Sequence, residues 1–316
     1  MRRAKADSYG SLIDSWSKIL DFENETQISN FIRHYWISNH GDVKTQSLYR
    51  EIKNEIANSD IDSVTFTDGL ADSSDLYREI ISGSYSEAGC GDLIDDFREF
   101  GASGNLMLPA IMAILESDED EKKEPSLRLL INLYVRYSII GQRENSKLEN
   151  VLYLAARELR ASGDFDAFSK SIRDAAPADD HFKAAFATAI ISKSRVQRYL
   201  LKKLEGARRA TEELEVSTPT KVHVEHIYPQ TPEDGKRWTD HHRWVDRIGN
   251  LTLLCKRLNT KIKNAEFSKK KPDLAKSEIM LTQDAASEAD WTPDIVANRQ
   301  AKFSEAAVTI WSMGHS

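Results

Sequence analysis

Cysteine is scarce in this chain, with two among 316 residues, Cys90 and Cys255. That excludes a disulfide framework and a cysteine-rich zinc site, since no CxxC pair is present, and it fits a reducing, cytoplasmic setting. Long apolar runs are missing as well. No stretch approaches the roughly 20 residues a membrane helix needs. The opening MRRAKADSYG is basic but lacks the apolar segment of a signal peptide, so a soluble protein without membrane contact is expected. Neither a GxxxxGKS/T loop nor a GxGxxG turn occurs, and nucleotide hydrolysis has no motif to rest on. No fixed-period repeat points to a solenoid.

What is present is an apolar content of 40%, sufficient for a substantial core and two domains. The net charge of -7 conceals an asymmetry: residues 193–276 carry +9 and the remainder -16. A polyanion would be drawn to the basic segment.

From Ser8 to Ser192 apolar residues recur at three- and four-residue spacing, as in ISNFIRHYWISNHG and EPSLRLLINLYVRYSIIG, both read as core helices. This predicts an all-α body over 1–192, with ESDEDEKKEP as a solvated charged loop. A basic amphipathic helix is expected over 193–215. Val222 to Ile227 alternates like a strand, NLTLL at 250–254 reads as a second strand after a polar loop, and CKRLNTKIKN as a short helix. Thr292 as N-cap and Pro293 at the first helical position predict a long closing helix. The expected fold class is therefore mainly α, an all-helical N-terminal body followed by a smaller domain over 193–316. Its strand, loop, strand, helix core spans about 221–271, and C-terminal helices span 272–313.

The chemistry concentrates in KVHVEHIYPQ, where Glu225 and His226 stand side by side just before Pro229. On a strand they point to opposite faces. At a strand end one could hold a divalent cation and the other face water, as metal-assisted phosphodiester cleavage requires. IGNLTLLCKRLN adds Asn250 and, nine residues on, Asn259.

EHIYP followed by GNLTLLCKRLN resembles the HNH nuclease motif, the ββα-metal finger. The resemblance implies Glu225 and Asn259 as metal ligands, His226 as general base and Asn250 as the brace of the loop, with Mg²⁺ or Mn²⁺ as cofactor. VEHIYPQ, RIGNLTLL, LNTKIKNAEFSKKK and WTPDIVANRQAKFSEAAVTIW are similar to the C-terminal nuclease domain of GmrSD-type, modification-dependent restriction proteins, which include the SspE nucleases. FIRHYWISNHGDVKTQSLYREIK resembles the helical region before that nuclease. The resemblance implies a DNA nickase of antiphage defence acting on double-stranded phage DNA. Such proteins normally begin with a nucleotide-hydrolysing, modification-sensing domain, whose Asp-Gly-Gln-Gln-Arg-like motif is missing here. The chain is thus expected to be a C-terminal portion or a split subunit that works with such a domain.

Lys261, Lys263, Asn264, Lys269, Lys270 and Lys271 are expected to touch DNA phosphate. His223, on the strand face of Glu225, is expected to support the site from behind. Two rivals are structural zinc on His223, His226, His241 and His242 in a non-catalytic DNA-binding module, and a PD-(D/E)xK site on Asp234 and Lys236. A third is a protein-interaction module built on the helical body.

Overall fold

The structure is a computed structural model, and it describes residues 8–58, 63–208 and 222–314. It divides into two compact units. One holds 1–134 and 144–176, the other 135–143 and 177–316.

The first unit is helical: α1 (Ser8–Ile19), α2 (Glu25–His40), α3 (Leu48–Asn58), α4 (Ser63–Ser82), α5 (Gly91–Glu99), α6 (Leu108–Leu115), α7 (Asp120–Tyr134), α8 (Asn145–Ser162) and α9 (Phe165–Ala175). LPAIMAIL in α6 is buried on every side, which makes it the central helix of the unit; α2, α7 and α8 pack against it. Phe31, Ile37, Ile80, Ile114 and Leu130 are fully buried there. The charged stretch expected to be a loop instead enters α7 at Asp120. Acidic side chains in a first helical turn complement the dipole, which the loop reading overlooked.

The second unit contains α10 (Asp179–Phe186), α11 (Ser194–Gly206), β1 (Val222–His226), α12 (His241–Trp244), β2 (Leu251–Cys255), α13 (Lys256–Ile262), α14 (Phe267–Leu274), α15 (Met280–Ser287) and α16 (Pro293–Ile310). Of the basic helix expected to reach 215, α11 is the described part, and 209–221 lie outside the described residues. The two strands pair antiparallel, Val222 opposite Cys255 and His226 opposite Leu251. A core of Ile227, Tyr228, Leu254, Leu258, Ile262, Phe267, Trp291 and Val296 lies beneath them. Thr292 caps α16 as its sequence signals, accepting from Ile295 N at 3.3 Å, with Pro293 at the helix start.

The compact units do not divide at 192. Val135–Ile140, expected to continue a regular helix to Gly141, forms a π-helical turn and belongs with the second unit through Arg136. That guanidinium is buried, donates to Trp311 O at 2.6 Å and Pro177 O at 3.1 Å, pairs with Asp179 at 2.7 Å and stacks over Phe182. Long-range ties of this kind leave no periodic trace in sequence.

α16 fixes the turn that precedes β2. The buried Arg299 donates to Gly249 O, Leu251 O and Leu281 O at 2.7–2.9 Å. Gln300 accepts from Gly249 N at 3.1 Å and donates to Phe186 O and Ala189 O. A Cβ on Gly249 would lie 2.2 Å from Val296 O, so only glycine permits this approach.

In the first unit His34 is buried against Tyr77, Nδ1 to hydroxyl 2.8 Å. Burial, helped by neighbouring Arg33, lowers its pKa from 6.5 to about 4. A depressed folded pKa means that the unfolded chain binds the proton first. The neutral ring's contribution is thus complete above pH 6.5 and is lost as pH falls toward 4. Between pH 7 and 5 this amounts to about 2 kcal/mol. Denaturant unfolding at those two pH values should show a loss of that size in the parent beyond the loss in His34→Gln. Equal losses in the two proteins would contradict the linkage.

Candidate functional site

β1 ends at His226, shortly before Pro229, which has no backbone donor. The ladder nevertheless continues for one more rung, and a side chain makes it. Ile227 N donates to Asn250 O at 2.9 Å; then Tyr228 N donates to Asn250 Oδ1 at 2.8 Å, and Asn250 Nδ2 returns a bond to Tyr228 O at 3.0 Å. The same carboxamide accepts from Trp291 Nε1 at 2.9 Å and donates to Val245 O at 3.0 Å. Asn250 is completely buried. Both lone pairs of its oxygen and both of its N–H groups are engaged.

This brace sets the end of β1 beside a cleft of about 430 Å³, bordered by Val224, Glu225, His226, Gln230, Thr231, Asn259, Lys263, Asn264 and Lys270. Glu225 and His226 thus border one cleft although strand alternation separates their side chains, because β1 stops at His226. Asn259, half-buried on α13, reaches the same space.

His226 Nε2 lies 3.0 Å from Asp246 Oδ1. A carboxylate only accepts, so Nε2 carries the hydrogen and Nδ1 is left with the lone pair. Burial pushes the imidazole below its ordinary pKa, and Asp246 pulls it partly back. The neutral ring is therefore favoured, with the Nδ1 lone pair free. Asp246 is itself held, its backbone oxygen accepting from Ile191 N at 3.0 Å and its carboxylate lying 3.4 Å from Gln197 Nε2.

Lys270 departs from expectation. It borders the cleft but is only 1% exposed, and its ammonium is engaged, donating to Glu225 Oε1 at 2.5 Å and to His226 O at 2.6 Å. Burial raises the Glu225 pKa and lowers that of Lys270, while their mutual attraction opposes both shifts. The hydrophilic run Lys269 to Lys271 points three ways because it is helical. Lys269 pairs with Glu233 at 2.8 Å, and Lys271 donates to Glu288 O at 2.6 Å.

Lys261 is exposed and pairs with Asp273 at 2.7 Å. Lys263 closes α13 with φ +46°, a conformation that L side chains rarely adopt, at the edge of the cleft. Asn264 pins the opposite wall by donating to Thr231 O at 2.6 Å and to the Thr231 hydroxyl. His223 Nε2 is buried without a hydrogen-bond partner.

The four histidines of the zinc alternative are not assembled. His226 faces Asp246, His241 Nδ1 lies 2.9 Å from the Tyr228 hydroxyl, and among the described residues no three His, Cys, Asp or Glu side chains gather as a metal cage. Asp234 sits in an exposed turn, without the strand a PD-(D/E)xK site needs. Glu225 and Asn259 offer a carboxylate and a carboxamide oxygen to one cleft. These are hard donors of the kind Mg²⁺ takes while keeping several waters, so the residues fit such an ion.

Asp246 and Lys270 are the two site residues whose roles sequence reasoning did not find. Asp246 is one of several acids in a polar loop; its only signal is a position four residues before Asn250.

By its frame the second unit is a ββα domain enclosed by helices, with a polar cleft at the end of its first strand. Residues 176–306 match the family of GmrSD restriction endonucleases, C-terminal domain, and this portion of the chain is a domain of that type. The match begins at 176, next to the start of the second unit's long segment at 177. No curated protein matches the chain. Among the described residues no helix is long and apolar enough to cross a membrane.

Replacing Asn250 by Ala strands two buried donors, Tyr228 N–H and Trp291 Nε1–H, together with two carbonyls. At about 1–3 kcal/mol per unmet group, partly relieved by water, the expected loss is about 3–5 kcal/mol. Denaturant unfolding followed by tryptophan fluorescence measures it. A change below about 1 kcal/mol would show that Asn250 is not the brace.

Proposed function

We propose that the second unit is a divalent-metal-dependent HNH endonuclease that nicks DNA in modification-dependent restriction of phage. The observation that carries this reading is the pairing of His226 with Asp246 on the cleft that Glu225 and Asn259 also border. The matched restriction-endonuclease domain supports the reaction class and DNA as the substrate.

His226 Nδ1 takes a proton from a water bound in the cleft while Asp246 keeps the ring in that tautomer and stabilises the imidazolium. Glu225 and Asn259 would hold Mg²⁺ or Mn²⁺, which when bound neutralises charge on the scissile phosphate. Lys270 keeps the Glu225 carboxylate in place through Oε1 and leaves its other oxygen for the ion. Asn250 positions without touching substrate. Lys263 and Asn264, on the cleft rim, and Lys261 and Lys269, exposed nearby, are placed to meet backbone phosphates.

One cleft hydrolyses one phosphodiester at a time, so a nick is the expected product. Sensing of the DNA modification is assigned to a nucleotide-hydrolysing domain or subunit acting with this chain in the cytoplasm.

Supercoiled plasmid should be relaxed by the full chain with Mg²⁺ or Mn²⁺ and left intact in EDTA. His226→Ala should slow relaxation by about 10²-fold or more, and Glu225→Ala should abolish metal-binding heat by calorimetry. Equal nicking by parent and His226→Ala would remove His226 from the mechanism.

A further inference from the structure

Beside the catalytic cleft lies a second cavity, of about 260 Å³, in the same unit. The 228–232 segment borders both: Tyr228, Pro229 and Pro232 line the second cavity, Gln230 and Thr231 the cleft. Four of its lining residues are aromatic. Tyr228 and Trp238 are stacked with centroids 3.7 Å apart and planes 5° from parallel, and Phe267 and Trp291 form another pair at 5.3 Å. The Tyr228–Trp238 stack is fixed, since the Tyr228 hydroxyl accepts from Trp238 N at 2.9 Å and meets His241 Nδ1.

The polar residues of this cavity include two acids, Glu266 and Asp290. Glu266 Oε2 lies 3.9 Å from Lys236 Nζ, whereas Oε1 is buried with no hydrogen-bond partner. Oε1 is closed off from the cavity, so the partly exposed carboxylate meets an occupant through Oε2, which accepts hydrogen bonds. An occupant must then bring N–H groups, and the walls call for a flat ring system. The cavity lies just below the 300 Å³ at which drug-sized pockets begin, suited to a single planar base.

We propose that this cavity receives one unstacked nucleobase bearing an exocyclic amine, from the strand whose phosphate occupies the neighbouring cleft. The amine donates to Glu266 and the ring packs against the aromatic wall, with Trp238, the half-buried member, at the entrance. Aromatic stacking with a carboxylate accepting from the base edge is how extruded or single-stranded bases are read. Cytosine, adenine and guanine carry such an amine and thymine does not. The domain would thereby favour DNA locally opened at the cut. This inference rests on the nuclease reading for its substrate, but its test does not depend on cleavage.

The test uses the full chain in EDTA and fluorescent single-stranded oligomers that lack every base except a central C, A, G or T, or lack that one too. Fluorescence anisotropy then compares ligands of equal charge. The amine-bearing bases should bind about 10-fold tighter than the fully abasic strand, and more tightly than T. Glu266→Gln should erase the margin over T, and Trp238→Ala should bring all strands to the abasic level. Both variants are checked for parental circular dichroism; Glu266→Gln, nearly isosteric, keeps the test decisive if Trp238→Ala is unfolded. Equal binding of all strands to the parent, or an unchanged margin over T in Glu266→Gln, overturns the proposal. Plasmid nicking by the same preparation separates the outcomes, since loss of nicking with base preference intact removes the nuclease reading and keeps the pocket.

Discussion

Asn250 uses its whole carboxamide to hold together four pieces of chain: the segment after β1 at Tyr228, the loop at Val245, the Trp291 indole and its own turn before β2. Main-chain pairing finishes at Ile227, whose N–H reaches Asn250 O, and the Tyr228 N–H goes to the Asn250 side chain instead. The side chain supplies the missing rung, and the polypeptide turns there with its polar groups satisfied. Val245 lies next to Asp246, so the bond that fixes Val245 O also sets the carboxylate facing His226. The brace is in turn immobilised by α16, whose Arg299 and Gln300 grip Gly249 from both sides.

On that frame the cleft holds two pairs of opposite electrostatic design. His226 and Asp246 share a hydrogen bond at 3.0 Å, and burial keeps the imidazole neutral. Glu225 and Lys270 form a buried ion pair in which desolvation works against both charges. Such pairs add little net stability, but removing one partner strands the other. Lys270 also binds the His226 carbonyl, so a single ammonium spans the Glu–His step. Glu225 and His226 are thereby held at one strand end, with different partners and different environments.

Much of this was legible in the sequence. Helices of the first unit follow from apolar residues three and four apart, and Thr292 with Pro293 marks the start of α16. Glu225, His226, Asn250 and Asn259 stand out because a strand, a turn and a helix each carry a local signal. The structure brings the first two and the last to one cleft and places Asn250 behind it. The rest depends on contacts between distant segments. Lys270 reads as one of three adjacent lysines expected to touch DNA phosphate, and only the approach of α14 to β1 buries it. Asp246 has no pattern of its own. The division between the units follows Arg136, whose partners lie about 40 and 175 residues away in sequence.

The central claim is that Asp246 fixes His226 as the tautomer with hydrogen on Nε2, leaving Nδ1 to accept a proton. Nitrogen-15 NMR of imidazole-labelled protein at neutral pH, with His226→Ala to assign the signal, tests it most directly. The account predicts a pyrrole-type shift for Nε2 and a pyridine-type shift for Nδ1. The reverse pattern, with hydrogen on Nδ1, would contradict it.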